Sequence, residues 1–189
     1  MKHFQENLRK MHSSLESLVK KELNKLLVAK IIFLVRHTTW VEILVLVRKN
    51  SGDIIICIDF RNVNRESLKD NYPVLFMEQI LQSVYGSAML SLLYGFSRYN
   101  QVLVAKDGHL KMTFRTKWGT YAYDKMPFRL INARATFQQA MDIAFRGQIS
   151  KSIVVYLDDV TVYFKTQEDH VPHLKAIFES CRWYGISSN

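Results

Sequence analysis

Apolar positions in this chain follow first a helical rhythm and then a strand rhythm. Between residues 14 and 30, Leu15, Leu18, Val19, Leu23, Leu26 and Leu27 recur at three- and four-residue steps, which predicts an amphipathic helix with one leucine stripe. Ser13 and Glu16 have capping-box spacing, and Glu16 and Lys20 have that of an exposed ion pair. Val41 to Val47 and Ile54 to Ile58 then read as strands, joined by a turn at Asn50-Ser51-Gly52-Asp53 with Arg48 and Lys49 beside it. Phe60 to Tyr72 is polar and irregular. Met77 to Tyr85 reads as a short helix with Met77, Ile80, Leu81 and Val84 on one face, ended by Gly86.

The strand rhythm returns at Met89 to Leu93. Asn100 to Ala105 and Leu110 to Thr116 flank Lys106-Asp107-Gly108 and predict a further hairpin, followed by a strand at Thr120 to Met126. Phe137, Ala140, Met141 and Ala144 predict a helix over 133–145. Ile153-Val154-Val155 and Val160-Thr161-Val162-Tyr163 enclose Tyr156-Leu157-Asp158-Asp159, the pattern of a hairpin with an acidic tip. A last helix is expected from about Asp169 to Tyr184. Strands interrupted by helices, without a regular βαβ series, indicate an α+β fold.

Composition bounds this picture. A chain of 189 residues suits one domain, or one domain with an incomplete neighbour. Its 48% hydrophobic content supports a core, and the few Gly and Pro argue against disorder. The net charge of +9 is compatible with nucleic acid as partner, and equally with a basic, soluble surface. Cys57 and Cys181 lack metal-ligand spacing and read as buried thiols in a reducing compartment. Met1-Lys2-His3-Phe4 opens no signal segment, and Ile31 to Val35 is too short to span a bilayer. The expectation is an intracellular protein, cytoplasmic or nuclear and not secreted, with no membrane partner. His170 and His173 share an approximate helix face without a third ligand, so they are expected at the surface and zinc is not. No Gly-rich phosphate loop is present.

Two adjacent carboxylates at a hairpin tip can hold divalent metal for phosphoryl chemistry, although an ordinary polar turn carries the same residues. The surrounding motifs point further. Val47-Arg48-Lys49-Asn50-Ser51-Gly52 is followed by Cys57-Ile58-Asp59-Phe60-Arg61-Asn62-Val63-Asn64, Lys69-Asp70-Asn71-Tyr72-Pro73, Gly95-Phe96-Ser97 and Tyr99-Asn100-Gln101. Trp118-Gly119-Thr120-Tyr121-Ala122-Tyr123, Met126-Pro127-Phe128, Ala135-Thr136-Phe137-Gln138 and Tyr156-Leu157-Asp158-Asp159 complete the order. From about Leu15 to Asn189 this series resembles the reverse transcriptase of Ty3/gypsy-class long-terminal-repeat retrotransposons, in the form common in plants. The resemblance implies an α+β, right-handed polymerase architecture of fingers and palm with the thumb absent. Residues 1–189 would be a partial reverse transcriptase domain: an N-terminal helix at 14–30, interleaved fingers and palm over 41–189, and no thumb, connection or ribonuclease H region.

The inherited reaction implied by the resemblance is RNA-directed DNA synthesis, in which a nucleotidyl group passes from a deoxynucleoside triphosphate to a primer 3′-hydroxyl. It is assisted by two divalent ions, Mg²⁺ or Mn²⁺. Asp158 and Asp159 match the catalytic, metal-holding palm carboxylates. Arg48, Lys49 and Arg61 are the candidate phosphate contacts. Tyr99 matches the residue beneath the incoming sugar, Phe128 and Gln138 match the nucleotide-template region, and Tyr156 matches the aromatic near the primer end. Three departures stand out. Tyr94 occupies the position of the third carboxylate. Ile55 stands where a basic triphosphate contact is usual. Arg129 follows Met126-Pro127-Phe128 where Gly is usual, and Arg98 and Arg134 also replace small residues. The expected partners are an RNA or DNA template with primer, a deoxynucleoside triphosphate, and remaining polyprotein regions or a completing subunit. The expectation is polymerase activity that is very weak or absent; the alternatives are a catalytically dead nucleic-acid-binding module, in effect a pseudoenzyme, or a retroelement remnant without function.

Overall fold

The structure, a computed structural model, describes residues 4–7, 10–50, 52–73, 76–94, 98–149, 151–156 and 159–187, apart from the side chains of Tyr94, Arg98 and Gln167. In chain order the elements are β1 (Phe4–Gln5), α1 (Ser13–Val28), β2 (Ile32–Val35), β3 (Trp40–Val41), β4 (Ile43–Arg48), β5 (Ile54–Asp59), α2 (Arg61–Glu66), α3 (Met77–Val84), β6 (Met89–Tyr94), β7 (Thr113–Thr116), β8 (Gly119–Tyr123), α4 (Ala133–Ala144), β9 (Ile153–Tyr156), β10 (Asp159–Phe164) and α5 (Gln167–Tyr184). They form two units of two segments each, residues 1–68 with 103–131 and residues 69–102 with 132–189.

In the first unit β4 and β5 form an antiparallel hairpin, from Ile43 opposite Asp59 to Arg48 opposite Ile54. The turn closes through Lys49 N–H to the Asp53 carbonyl at 2.8 Å, and Gly52 adopts φ +87°, which an L side chain rarely tolerates. The period of two puts Ile54, Ile56 and Ile58 on one face of β5. They share a core with Val19 and Leu23 of α1, and with Ile32, Phe114, Tyr121 and Tyr123 of the β2–β8–β7 sheet. Val19 and Phe114 are fully buried. Burial of an aliphatic side chain of this kind contributes about 2 kcal/mol.

In the second unit β10 lies between β6 and β9, antiparallel to both. Ile80 of α3 packs on Val154 and Tyr163 of that sheet. Phe137, Met141 and Ala144 of α4 are buried, as are Ile177 and Cys181 of α5. Both cysteines are free and buried, and burial pushes both thiols up from their ordinary pKa. No helix among the described residues is long and apolar enough to cross a membrane.

Several local expectations are corrected. The capping box at Ser13 does not form: His12 caps α1, its Nδ1 accepting from Ser14 N–H at 3.3 Å. Glu16 pairs with Lys117 on the β7–β8 turn rather than with Lys20. Residues 61–66, expected irregular, form α2, and the Asp59 carboxylate accepts Arg61 N–H at its start (3.2 Å). The expected hairpin around Lys106-Asp107-Gly108 is replaced by short 3₁₀ turns at Arg98–Gln101 and His109–Lys111. His109 Nε2 to the Val104 carbonyl (3.0 Å) ties the second turn back, and β7 pairs with β8 instead. On α3 only Ile80 is buried; Met77 and Leu81 are exposed, because the sheet meets one edge of the expected stripe. Gly86 does follow α3, at φ +72°. His170 is buried rather than superficial: its ring stands edge-on to Phe164, 5.4 Å between centroids, and its Nε2 lies 2.9 Å from Ser91 Oγ.

Candidate active site

The acidic hairpin forms as the two apolar strands dictate. Tyr156 and Asp159 are opposite each other at the connected end of β9 and β10. Leu157 and Asp158 lie outside the described residues, as does Gly95-Phe96-Ser97. On its other side Asp159 is opposite Tyr94, the last residue of β6. The head of β10 therefore carries a carboxylate flanked by tyrosine positions on both neighbouring strands. Asp159 is half-buried, and its Oδ1 is buried without a hydrogen-bond partner among the described residues. An orphaned, desolvated carboxylate oxygen suits a cation. A pair of ions needs more donors, and no group of three His, Cys, Asp or Glu residues placed to hold a metal exists among the described residues.

The same unit holds Tyr99 and Gln138. Tyr99, in the first 3₁₀ turn, meets buried Phe137 edge-on, 5.6 Å between centroids. Gln138 is buried on α4; its Nε2 donates to Asp142 Oδ1 at 3.0 Å, one helical turn later, leaving Oε1 buried without a partner among the described residues. Tyr72 O–H donates to the other Asp142 oxygen at 2.5 Å, which holds the phenol above its ordinary pKa. Tyr72 and Asp142 thus support Gln138 through a contact that the sequence does not reveal. The i, i+4 spacing of Gln138 and Asp142 is the one local signal. Tyr156 is half-buried against the Ile80–Val154–Tyr163 cluster, and Arg134 is exposed on α4.

The remaining candidates belong to the first unit. Arg48 and Lys49 are exposed at the turn end of the β4–β5 hairpin. Arg61 is at the other end, roughly 17 Å away by strand rise, gripping Asp59 through Nε (2.9 Å) and a guanidinium nitrogen (2.6 Å). That bond raises the Arg61 pKa. The three basic candidates are therefore not one cluster. Ile55 is half-buried in β5 opposite Val47, and it supplies no charge between them.

Arg129 takes φ +73°. Asn64 holds this backbone, donating Nδ2–H to the Arg129 carbonyl at 2.9 Å and accepting Ile131 N–H at 2.8 Å. The left-handed conformation costs a residue with a β-carbon about 1 kcal/mol, so a glycine fits here for backbone reasons as well as for space. The guanidinium lies 5.4 Å from the exposed Phe128 ring and exerts a lowering effect on the Cys57 thiol, smaller than the rise from burial.

Residues 2–189 match the family described as Reverse transcriptase (RNA-dependent DNA polymerase). The chain is similar to the retrovirus-related Pol polyprotein from transposon gypsy of Drosophila melanogaster, 33% identical over 124 residues; that match covers 66% of this chain and 12% of the polyprotein. It is also similar to the RNA-directed DNA polymerase homolog of Oenothera berteroana, 32% identical over 128 residues, covering 66% of this chain and 90% of the homolog. The fold is that of native prototype foamy virus protease-reverse transcriptase, with a TM-score of 0.86 at 15% identity, over 100% of this chain and 25% of that one. The chain thus spans a small part of the polyprotein and of the viral enzyme, in the region of fingers and palm, and it belongs to the reverse transcriptase family, among its Ty3/gypsy-type members.

Proposed function

We propose that this chain is a fingers-palm region whose inherited reaction, RNA-directed transfer of a nucleotidyl group to a primer 3′-hydroxyl, is very weak or lost. The first unit is read as fingers and the second as palm, forming part of a reverse transcriptase domain. The register that puts Tyr94 opposite Asp159 carries this reading. Reverse transcriptases generally use divalent metal ions. A neutral phenol supplies no matching charge to such an ion. Asp158 and Asp159 remain as proposed metal ligands for Mg²⁺ or Mn²⁺. Tyr99, Gln138 and Tyr156 are the proposed contacts of the palm, and Arg48, Lys49, Arg61 and Phe128 those of the fingers. The proposed partners are a primed RNA or DNA template, a deoxynucleoside triphosphate, and further polyprotein regions or a subunit supplying a thumb.

The test is primer extension on RNA and DNA templates with Mg²⁺ and with Mn²⁺, using protein shown to be folded. The parent should extend primers very weakly or not at all. Tyr94→Asp should raise extension, by a factor on the order of 10²–10³ if the lost charge is what limits the rate. Efficient extension by the parent, abolished by Asp158→Asn, would refute the proposed loss.

A second reading, a nucleic-acid-binding module without catalysis, is favoured by the net charge of +9. Foamy viral protease-reverse transcriptase structures of similar fold are complexes with double-stranded DNA and with an RNA/DNA hybrid. Salt-sensitive binding without extension, even by Tyr94→Asp, would support it.

A further inference from the structure

We propose that the outward face of α1 is a contact surface for the phosphate backbone of nucleic acid, separate from the acidic hairpin. The inference rests on nucleic acid being the partner proposed above. The leucine stripe turns inward, burying Val19 and Leu23, and leaves Ser17, Lys20, Lys21, Asn24, Lys25 and Val28 exposed along the opposite side. These residues line one shallow surface depression. Its anionic neighbours are few. Glu22 holds Lys25 at 2.9 Å and Asp53 adds attraction to that lysine, while Glu16 is taken by Lys117. Lys20 and Lys21 have no salt bridge among the described residues.

From Ser17 to Val28 the helix rises roughly 17 Å at about 1.5 Å per residue. One strand of a duplex presents about five phosphates over that length, at about 3.4 Å each. Ser17 and Asn24 add a hydroxyl and an amide of the kind that hydrogen-bonds phosphate oxygens. The depression is lined mainly by apolar surface, but large exposed apolar side chains are few on this face. Val28 is its large exposed apolar side chain and Leu18 is only 38% exposed at its edge, whereas interfacial helices bury a broad apolar face in lipid. A polyanion without a lipid phase is the partner whose chemistry fits.

The experiment compares the parent, Lys20→Ala/Lys21→Ala and Arg48→Ala/Lys49→Ala for binding of a labelled RNA/DNA hybrid, between about 50 and 200 mM salt. Alanine preserves the helix, and circular dichroism checks that it does. The α1 variant should bind at least about tenfold more weakly at low salt, and the slope of log affinity against log salt should become shallower by about 1.8 for two lost phosphate contacts. An unchanged affinity and slope for that variant would overturn the inference; if Arg48→Ala/Lys49→Ala then weakens binding, the nucleic-acid reading survives alone. Absence of hybrid binding by the parent would overturn both. Loss of binding to phosphatidylserine vesicles in the α1 variant, with hybrid binding intact, would assign the face to a membrane and also refute the inference.

Discussion

Glu42 joins β3 to β4 and is 2% exposed, a carboxyl group in a largely apolar neighbourhood. The Trp40 indole N–H donates to it at 2.8 Å and the Asn62 amide at 3.4 Å. Burial nevertheless pushes its pKa above the ordinary carboxylate value, with Asp59 adding repulsion, while the hydrogen bonds pull the other way without prevailing. A carboxyl with a raised pKa in the fold binds protons more tightly there than in the unfolded chain. Its stabilising contribution is therefore complete below the unfolded value and is lost as pH rises through the folded one. Glu42→Gln keeps an acceptor for the indole and removes the charge. Urea midpoints taken from acid to neutral pH should fall for the parent across that window and stay flatter for the variant, which should be the more stable at neutral pH. Parallel profiles would show that Glu42 does not carry this pH dependence.

At the scale of elements, α5 meets β6 through a polar contact beside the Phe164 ring. Ser91 Oγ and His170 Nε2 lie 2.9 Å apart, and His170 Nδ1 is buried without a partner among the described residues. Ser91→Ala should cost about 1–3 kcal/mol in urea denaturation, because it leaves a second imidazole nitrogen unsatisfied. Ser91→Ala/His170→Leu should cost less than that single change, since neither buried polar group remains; equal or additive losses would mean the contact is not what the packing there depends on. Neither the contact nor its burial was legible in the sequence, where His170 looks like one polar residue on an amphipathic helix. The helices themselves were legible: α1, α4 and α5 start and end close to where their apolar periods do, because each period reports the one face that must be buried. The strands of the acidic hairpin were equally legible, since Ile153 to Val155 form an unbroken buried apolar run and Val160 and Val162 alternate with less buried residues. Residues 100–116 were not, because β7 takes its partner from β8 while tertiary contacts such as His109 to Val104 fix the turns. The same holds for the support of Gln138: Tyr72 and Asp142 are 70 residues apart, and no local pattern connects them.

For the whole molecule, the important fact is that neither unit is a continuous stretch of chain. Residues 1–68 pack with residues 103–131, and residues 69–102 with residues 132–189. The dependence is physical. Among the described residues β2 pairs with β8 alone, from Ile32 opposite Tyr123 to Val35 opposite Thr120. Fully buried Phe114, with Tyr121 and Tyr123, fills the core against which α1 lays its leucine stripe. Removing three aromatic side chains of this size from a core forfeits several kcal/mol each, comparable in total with the whole stability of an ordinary domain. A fragment of residues 1–102 should therefore fail to fold cooperatively. It should lack a sigmoidal urea transition and exchange its amide protons rapidly, although it holds most of the elements of the first unit. Adding a fragment of residues 103–189 should restore protection to the α1 and β5 amides if the two segments recombine. A cooperative transition in residues 1–102 alone would mean that the β4–β5 hairpin and α1 are self-sufficient, and that β7 and β8 are additions to the core and not a condition of it.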